Sequence, residues 1–126
     1  MRKHLIETHL REFEGLKTKT FTAEEDLIWY RLNKLLLQTL TELNRDKQAI
    51  AEQALKDGVV FLEDGQPDEE KSDADGLKKA NEKTILLINE EFETNVLPIG
   101  ILNKIKSEND IPSGDYNSLL HLYLKE

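Results

Sequence analysis

A chain of 126 residues with 38% hydrophobic and 6% aromatic content suits one domain built on a modest helical core rather than a deep ligand cavity. It has no cysteine, which excludes disulfides, thiolate nucleophiles and cysteine-ligated metal centres, and points to a reducing compartment or a bacterial or viral source. The net charge is −8, but residues 63–75 alone carry −6, so the remainder is near neutral and offers no basic stripe for a nucleic-acid backbone.

The chain begins Met1-Arg2-Lys3, but Glu7 interrupts the apolar pair Leu5-Ile6, so no signal peptide is expected there. No apolar run is long enough to span a bilayer. Leu5, Ile6, Leu10 and Phe13 recur at helical intervals, which predicts a short N-terminal helix over residues 4–14. Gly15 and the alternating Lys17-Thr18-Lys19-Thr20 read as a connector, with a short strand at 18–21 as the alternative.

The strongest signal is residues 22–57. Thr22-Ala23-Glu24-Glu25 is a capping box, in which threonine and glutamate each satisfy an amide of the other. Asp57-Gly58 supplies the glycine that closes a helix in a left-handed turn. A straight helix between these signals runs roughly 54 Å, whereas a globule of this length has a radius of gyration near ~14 Å. The first half carries two adjacent apolar stripes, Ile28, Leu32, Leu35 and Trp29, Leu36, Leu40, Leu43, which together form a wide core face. The second half keeps one stripe, Leu43, Ile50 and Ala54, expected to overhang the domain and to need a partner.

Val59-Val60-Phe61-Leu62 predicts a small β element near 59–62. Residues 63–75 hold seven carboxylates and Lys71 with no apolar anchor, so they read as an acidic, flexible loop. Asp75 is the expected cap of a helix over 76–92, its inner face formed by Leu77, Ala80, Thr84, Ile85, Ile88 and Phe92. The fold class is therefore mainly α. Its centre is an antiparallel helical hairpin of 22–57 and 76–92 within a single domain, 1–126.

Beyond it, Pro98 disfavours helix at Leu97, so residues 95–98 read as extended, and residues 99–106 make two helical turns. Ser113 is the expected cap of a last helix through Leu119, Leu120 and Tyr123. A strand is the rival there, because Leu120, Leu122 and Leu124 alternate.

Candidate chemistry is sparse. His4 and His9 lie five apart, on different faces of a helix, and His121 stands alone, so all three read as surface histidines rather than metal ligands. Asp64, Gln66, Asp68 and Asp75 mimic part of an EF-hand loop. Glu69, however, stands where that loop needs glycine, and Pro67 interrupts it. Ser113-Gly114-Asp115 lacks the spacing of a nucleophile elbow. With neither nucleophile, metal nor cofactor site, the chain reads as non-enzymatic and cofactor-free. Trp29 reads as core, while Tyr30, about 100° round the helix, is either core or an exposed contact of the kind that anchors interfaces.

In segment order the chain resembles small proteins encoded in tailed-phage genomes and prophages. A short helix precedes the long helix with its "RLNKLLLQTLTEL". Then come the acidic "EDGQP", a helix ending "LLINEEFE", and a polar "SGDYNSLLHLYLKE". The resemblance implies a late structural or accessory protein in the bacterial host cytoplasm or the virion, with no assigned activity and no functional residues to carry over. The expected function is protein–protein interaction in virion assembly. Tyr30, Leu43, Ile50 and Ala54 would contact a second copy or another phage or host protein, with no direct nucleic acid and no membrane. The alternative is an acidic anti-defence inhibitor in which Asp68, Glu69 and Glu70 enter a basic site on a host protein.

Overall fold

The computed structural model describes residues 2–94 and 97–110, and within them the protein is mainly helical. Helix α1 (Ile6–Glu14) is entered through a 3-10 turn at Lys3–Leu5 and is followed by α2 (Ala23–Lys56), α3 (Ala74–Ile88) and α4 (Ile99–Asn109). Extended pairing among the described residues is limited to two single-residue bridges, Arg2 with Glu91 and Phe61 with Pro67. The small β element expected near 59–62 is the second of these. The expected C-terminal helix or strand beyond Ser113 lies outside the described residues.

Both ends of α2 follow from local sequence. The Thr22 amide donates to Glu25 Oε1 at 2.9 Å and the Glu25 amide donates to Thr22 Oγ1 at 3.2 Å, so the capping box is formed. At the other end Gly58 has φ 90°, a conformation that L side chains resist. Its amide donates to the Leu55 carbonyl, and the Val59 amide donates to the Ala54 carbonyl. That pair of bonds is a Schellman closure.

The described residues fall into two compact units, 2–40 with 91–94 and 97–110, and 41–90. The first half of α2 belongs to one unit and its second half to the other.

In the first unit, α1, the first half of α2 and α4 converge on one core. Ile6 and Phe13, Leu32 and Leu36, and Ile101, Leu102 and Ile105 come from the three helices, with Phe21 and Leu97 from the connections. Half-buried Trp29 packs against this core, its ring 4.9 Å from Phe13 and edge-on to Phe21 at 6.2 Å. His9, expected at the surface, is instead 3% exposed, with its ring 5.9 Å from Phe13. It sits three residues from Ile6 and four from Phe13, on the buried face of α1.

The connector 16–20 is a turn and not a strand, because the end of α4 satisfies its amides. Asn109 accepts from the Lys17 amide at 2.6 Å and donates back to the Lys17 carbonyl at 2.9 Å. Glu108 accepts from the Lys19 amide and from both the amide and the hydroxyl of Thr20.

In the second unit the later turns of α2 and α3 form the expected antiparallel hairpin. Gly76, near the start of α3, lies against the carbonyl of Asp57, just past the end of α2, closely enough that a Cβ would collide with it. Further along, Leu77, Ala80, Asn81 and Thr84 share a groove of about 160 Å³ with Lys47, Ile50 and Ala51.

The limits of α3 differ from those expected. Asp73 rather than Asp75 is its cap, the Asp73 carboxylate accepting from the Gly76 amide at 2.9 Å. The helix stops at Ile88, where Asn89 donates from its side chain to the Ile85 carbonyl. Carboxylates at Glu90, Glu91 and Glu93 also oppose the negative end of the helix dipole. Phe92 is therefore not on α3 and packs instead against the core of the first unit. Ile85 is exposed, and Leu87 takes the buried place expected for it.

Candidate interaction face

Most of the apolar stripe expected to be wet is dry. Leu43 and Ala54 are each 2% exposed and, with Val59 and Leu87, are the buried apolar residues of the second unit. Ile50 is half-buried in the 160 Å³ groove, beside α3. Pairing with α3 takes up the face that the sequence leaves unpartnered, so these three residues are not an exposed contact strip.

The acidic segment also departs from its reading as a solvated chain without anchors. The Leu62 amide donates to the Gln66 carbonyl and the Asp68 amide to the Val60 carbonyl, both at 2.7 Å, around Gly65 at φ 87°. Asp64 accepts from the Gln66 amide, and Asp68 from the amides of Glu70 and Lys71. The Ser72 hydroxyl accepts from the Val60 amide at 2.9 Å and donates to its carbonyl at 3.2 Å. Aspartates and serine thus close turns that apolar residues do not. Asp68 is half-buried and engaged in its own turn, while Glu69 and Glu70 are exposed.

A row of exposed apolar side chains runs along the first half of α2, while Leu55, Val60, Leu62, Ile85 and Leu86 are exposed in the second unit. Leu27 is 47% exposed, Tyr30 59% and Leu37 57%. Their spacing, with Lys34 between, is that of positions 1, 4, 8 and 11, which share one helical face. The opposite face holds buried Leu32 and Leu36. Helix α2 is apolar nearly all the way round here, and α1 and α4 cover only part of it. Tyr30 is thus an exposed residue, as one of its two readings has it. Leu27 and Leu37 were missed, and their signal was that neither fits the two inward stripes.

Beside this stripe, α1 and α2 enclose an open groove of about 430 Å³. It is lined by Glu7, Leu10, Arg11 and Glu14 from α1 and by Asn33 and Leu37 from α2. On α1 these residues are spaced 0, 3, 4 and 7, a single face. Glu7 and Arg11 pair at 3.8 Å along the helix. Asn33 donates to the Trp29 carbonyl at 2.8 Å, which turns its amide onto its own helix and leaves an apolar floor of Leu10 and Leu37. Glu14 of α1, and Arg31 and Lys34 of α2, are exposed or half-exposed and make no ion pair among the described residues.

Two carboxylates of this unit are held below their ordinary value of 4.5. For Glu25 the chief cause is the ammonium of Lys104, supported by the amide of Thr22. For Glu108 desolvation pushes upward but is outweighed by the hydroxyl and amide of Thr20 and the amide of Lys19. Both are structural clamps, and neither faces the groove. Among the described residues no three histidine or carboxylate side chains are placed to hold a metal ion. No helix among them is long and apolar enough to cross a membrane. In comparisons with models of known protein families, with curated proteins and with solved structures, nothing matches this chain.

Proposed function

We propose that this protein is a non-enzymatic protein–protein interaction module that works through the outer face of α2, as an accessory in phage assembly. The observation that carries the reading is the row Leu27, Tyr30 and Leu37, three large apolar side chains left about half exposed on one helical face. Apolar surface of that kind is stabilised when a partner removes it from water, at roughly 25 cal/mol per Å². The groove beside it adds shape, and a tyrosine with an exposed ring is a common anchor of interfaces.

A photo-crosslinking amino acid in place of Tyr30 tests this in cells. The reading expects a crosslinked species heavier than the chain, lost when Leu37→Asp is added. Crosslinks that form only within the chain would contradict it.

The acidic turn supports a second reading, as an inhibitor of a basic site, because Glu69 and Glu70 stand exposed on a hydrogen-bonded scaffold. Binding of that kind weakens steeply with salt, whereas binding through the α2 face, centred on apolar side chains, should weaken less. Titration of an identified partner between low and moderate salt separates the two.

A further inference from the structure

The α1–α2 face has the make-up that a twofold contact requires. In such a contact the same patch meets itself, so every charge in the patch must find its opposite within that patch. The apolar centre here is Leu10, Tyr30 and Leu37. On the α1 side stands Glu14 and on the α2 side Lys34, each outside any ion pair among the described residues, while Arg31 lies about 120° round α2 from Leu37 and outside the patch. Glu7 and Arg11 already neutralise each other and add no bias.

We propose that the occupant of this groove is the α2 helix of a second copy of the chain, which makes the protein a twofold homodimer. This rests on the interaction-module reading and names its partner. Tyr30 and Leu37 of each copy enter the groove of the other, over Leu10 and Leu37. Lys34 of each copy then meets Glu14 of the other, so the pair forms twice across the axis.

Overall charge does not oppose such an encounter. Residues 1–40 and 91–126 hold ten basic and twelve acidic residues, a net of −2, while residues 41–90 carry the other −6. A basic partner would find a stronger field at the acidic turn than on this face. A strongly acidic one would be met by Glu7 and Glu14 as well as by Lys34. A surface carrying both signs beside an apolar centre fits its own copy better than a partner of one sign.

A charge swap read by sedimentation equilibrium tests the proposal on the whole chain. The wild type is expected at twice its 14.6 kDa mass at micromolar concentration. Lys34→Glu alone sets two carboxylates against each other at each of the two contacts, and Glu14→Lys alone sets two ammonium groups against each other there. Each should weaken self-association about ten-fold or more, since like charges across an interface are strongly disfavoured. An equimolar mixture of the two variants should dimerise again, because each then presents the sign the other needs. Far-UV circular dichroism checks that both remain folded, as surface positions allow.

A wild type that stays at 14.6 kDa overturns the dimer. So do single variants that associate as tightly as the wild type, or a mixture that fails to recover. The module reading fails separately, when a crosslinker at position 30 captures neither a second copy nor another protein.

Discussion

Glu25 and Lys104 form an ion pair across 79 positions of sequence, and the carboxylate oxygen that takes the Lys104 ammonium also accepts the Thr22 amide. One oxygen therefore completes the cap of α2 and ties that cap to α4. Glu108, near the C-terminal end of α4, holds the connector that leads into the same cap. The start of the long helix is thus clamped from the middle and the C-terminal end of one short helix.

These clamps make stability fall in acid. Both carboxylates are depressed in the folded chain, so their contribution is fully present above the ordinary carboxylate value of 4.5. It is lost as the pH drops through their lower folded values, because protonation then favours the unfolded chain. Urea midpoints should decline as the pH is lowered from about 5 to about 3, and Glu108→Gln should flatten part of that decline. A variant as acid-sensitive as the wild type would show that Glu108 is not a clamp.

Helix α2 should be driven by its inner leucines. Leu36 is fully buried, and Leu36→Ala is expected to cost about 2–5 kcal/mol, the range for buried leucine truncation. Leu55 is exposed, so Leu55→Ala should change stability by no more than about 0.5 kcal/mol. Equal losses in denaturant melts would contradict this division of the helix.

Two glycines should respond in opposite directions. At Gly76 an added methyl meets the Asp57 carbonyl, so Gly76→Ala should destabilise by about 1–3 kcal/mol as the helices are forced apart. At Gly100, in the first turn of α4, the nearest atom is Glu25 Oε2 at 3.9 Å, an ordinary contact. Gly100→Ala should therefore stabilise by about 0.5–1 kcal/mol through helix propensity. Thermal melts of the two variants give the signs directly.

The acidic turn should tolerate change unevenly. Asp73→Ala removes the cap of α3 and should cost about 1 kcal/mol, while Glu69→Ala and Glu70→Ala should be nearly silent. Replacing residues 64–74 by a flexible linker should cost more than loop entropy alone, since Ser72 and Asp73 leave with it. Equal effects at Asp73 and Glu70 in urea melts would show that the cap contributes little.

The features legible in the sequence were those that a few neighbouring residues determine. The capping box at Thr22 and Glu25 and the glycine closure at Gly58 fix both ends of α2 without help from the rest of the chain. The cap of α3 was harder, because Asp73 and Asp75 are both competent and only the bond to Gly76 separates them. Burial along α2 was not legible. Leucines lie on three sides of that helix, and which side stays wet depends on where α1, α3 and α4 pack. Thus Leu43 and Ala54, read as an open strip, are buried, while Leu27 and Leu37 are exposed. The clamp from Glu108 and Asn109 to residues 17–20 spans about ninety positions and leaves no local signal.

The central claim is that the outer face of α2 is covered by a second copy of the chain. Hydroxyl-radical footprinting across a concentration series measures this most directly. Tyr30 should lose reactivity several-fold between nanomolar and high micromolar protein, while Leu86, exposed on α3, should not change. Tyr30 reactivity that stays constant across the series, or protection that falls equally on Leu86, would contradict the account.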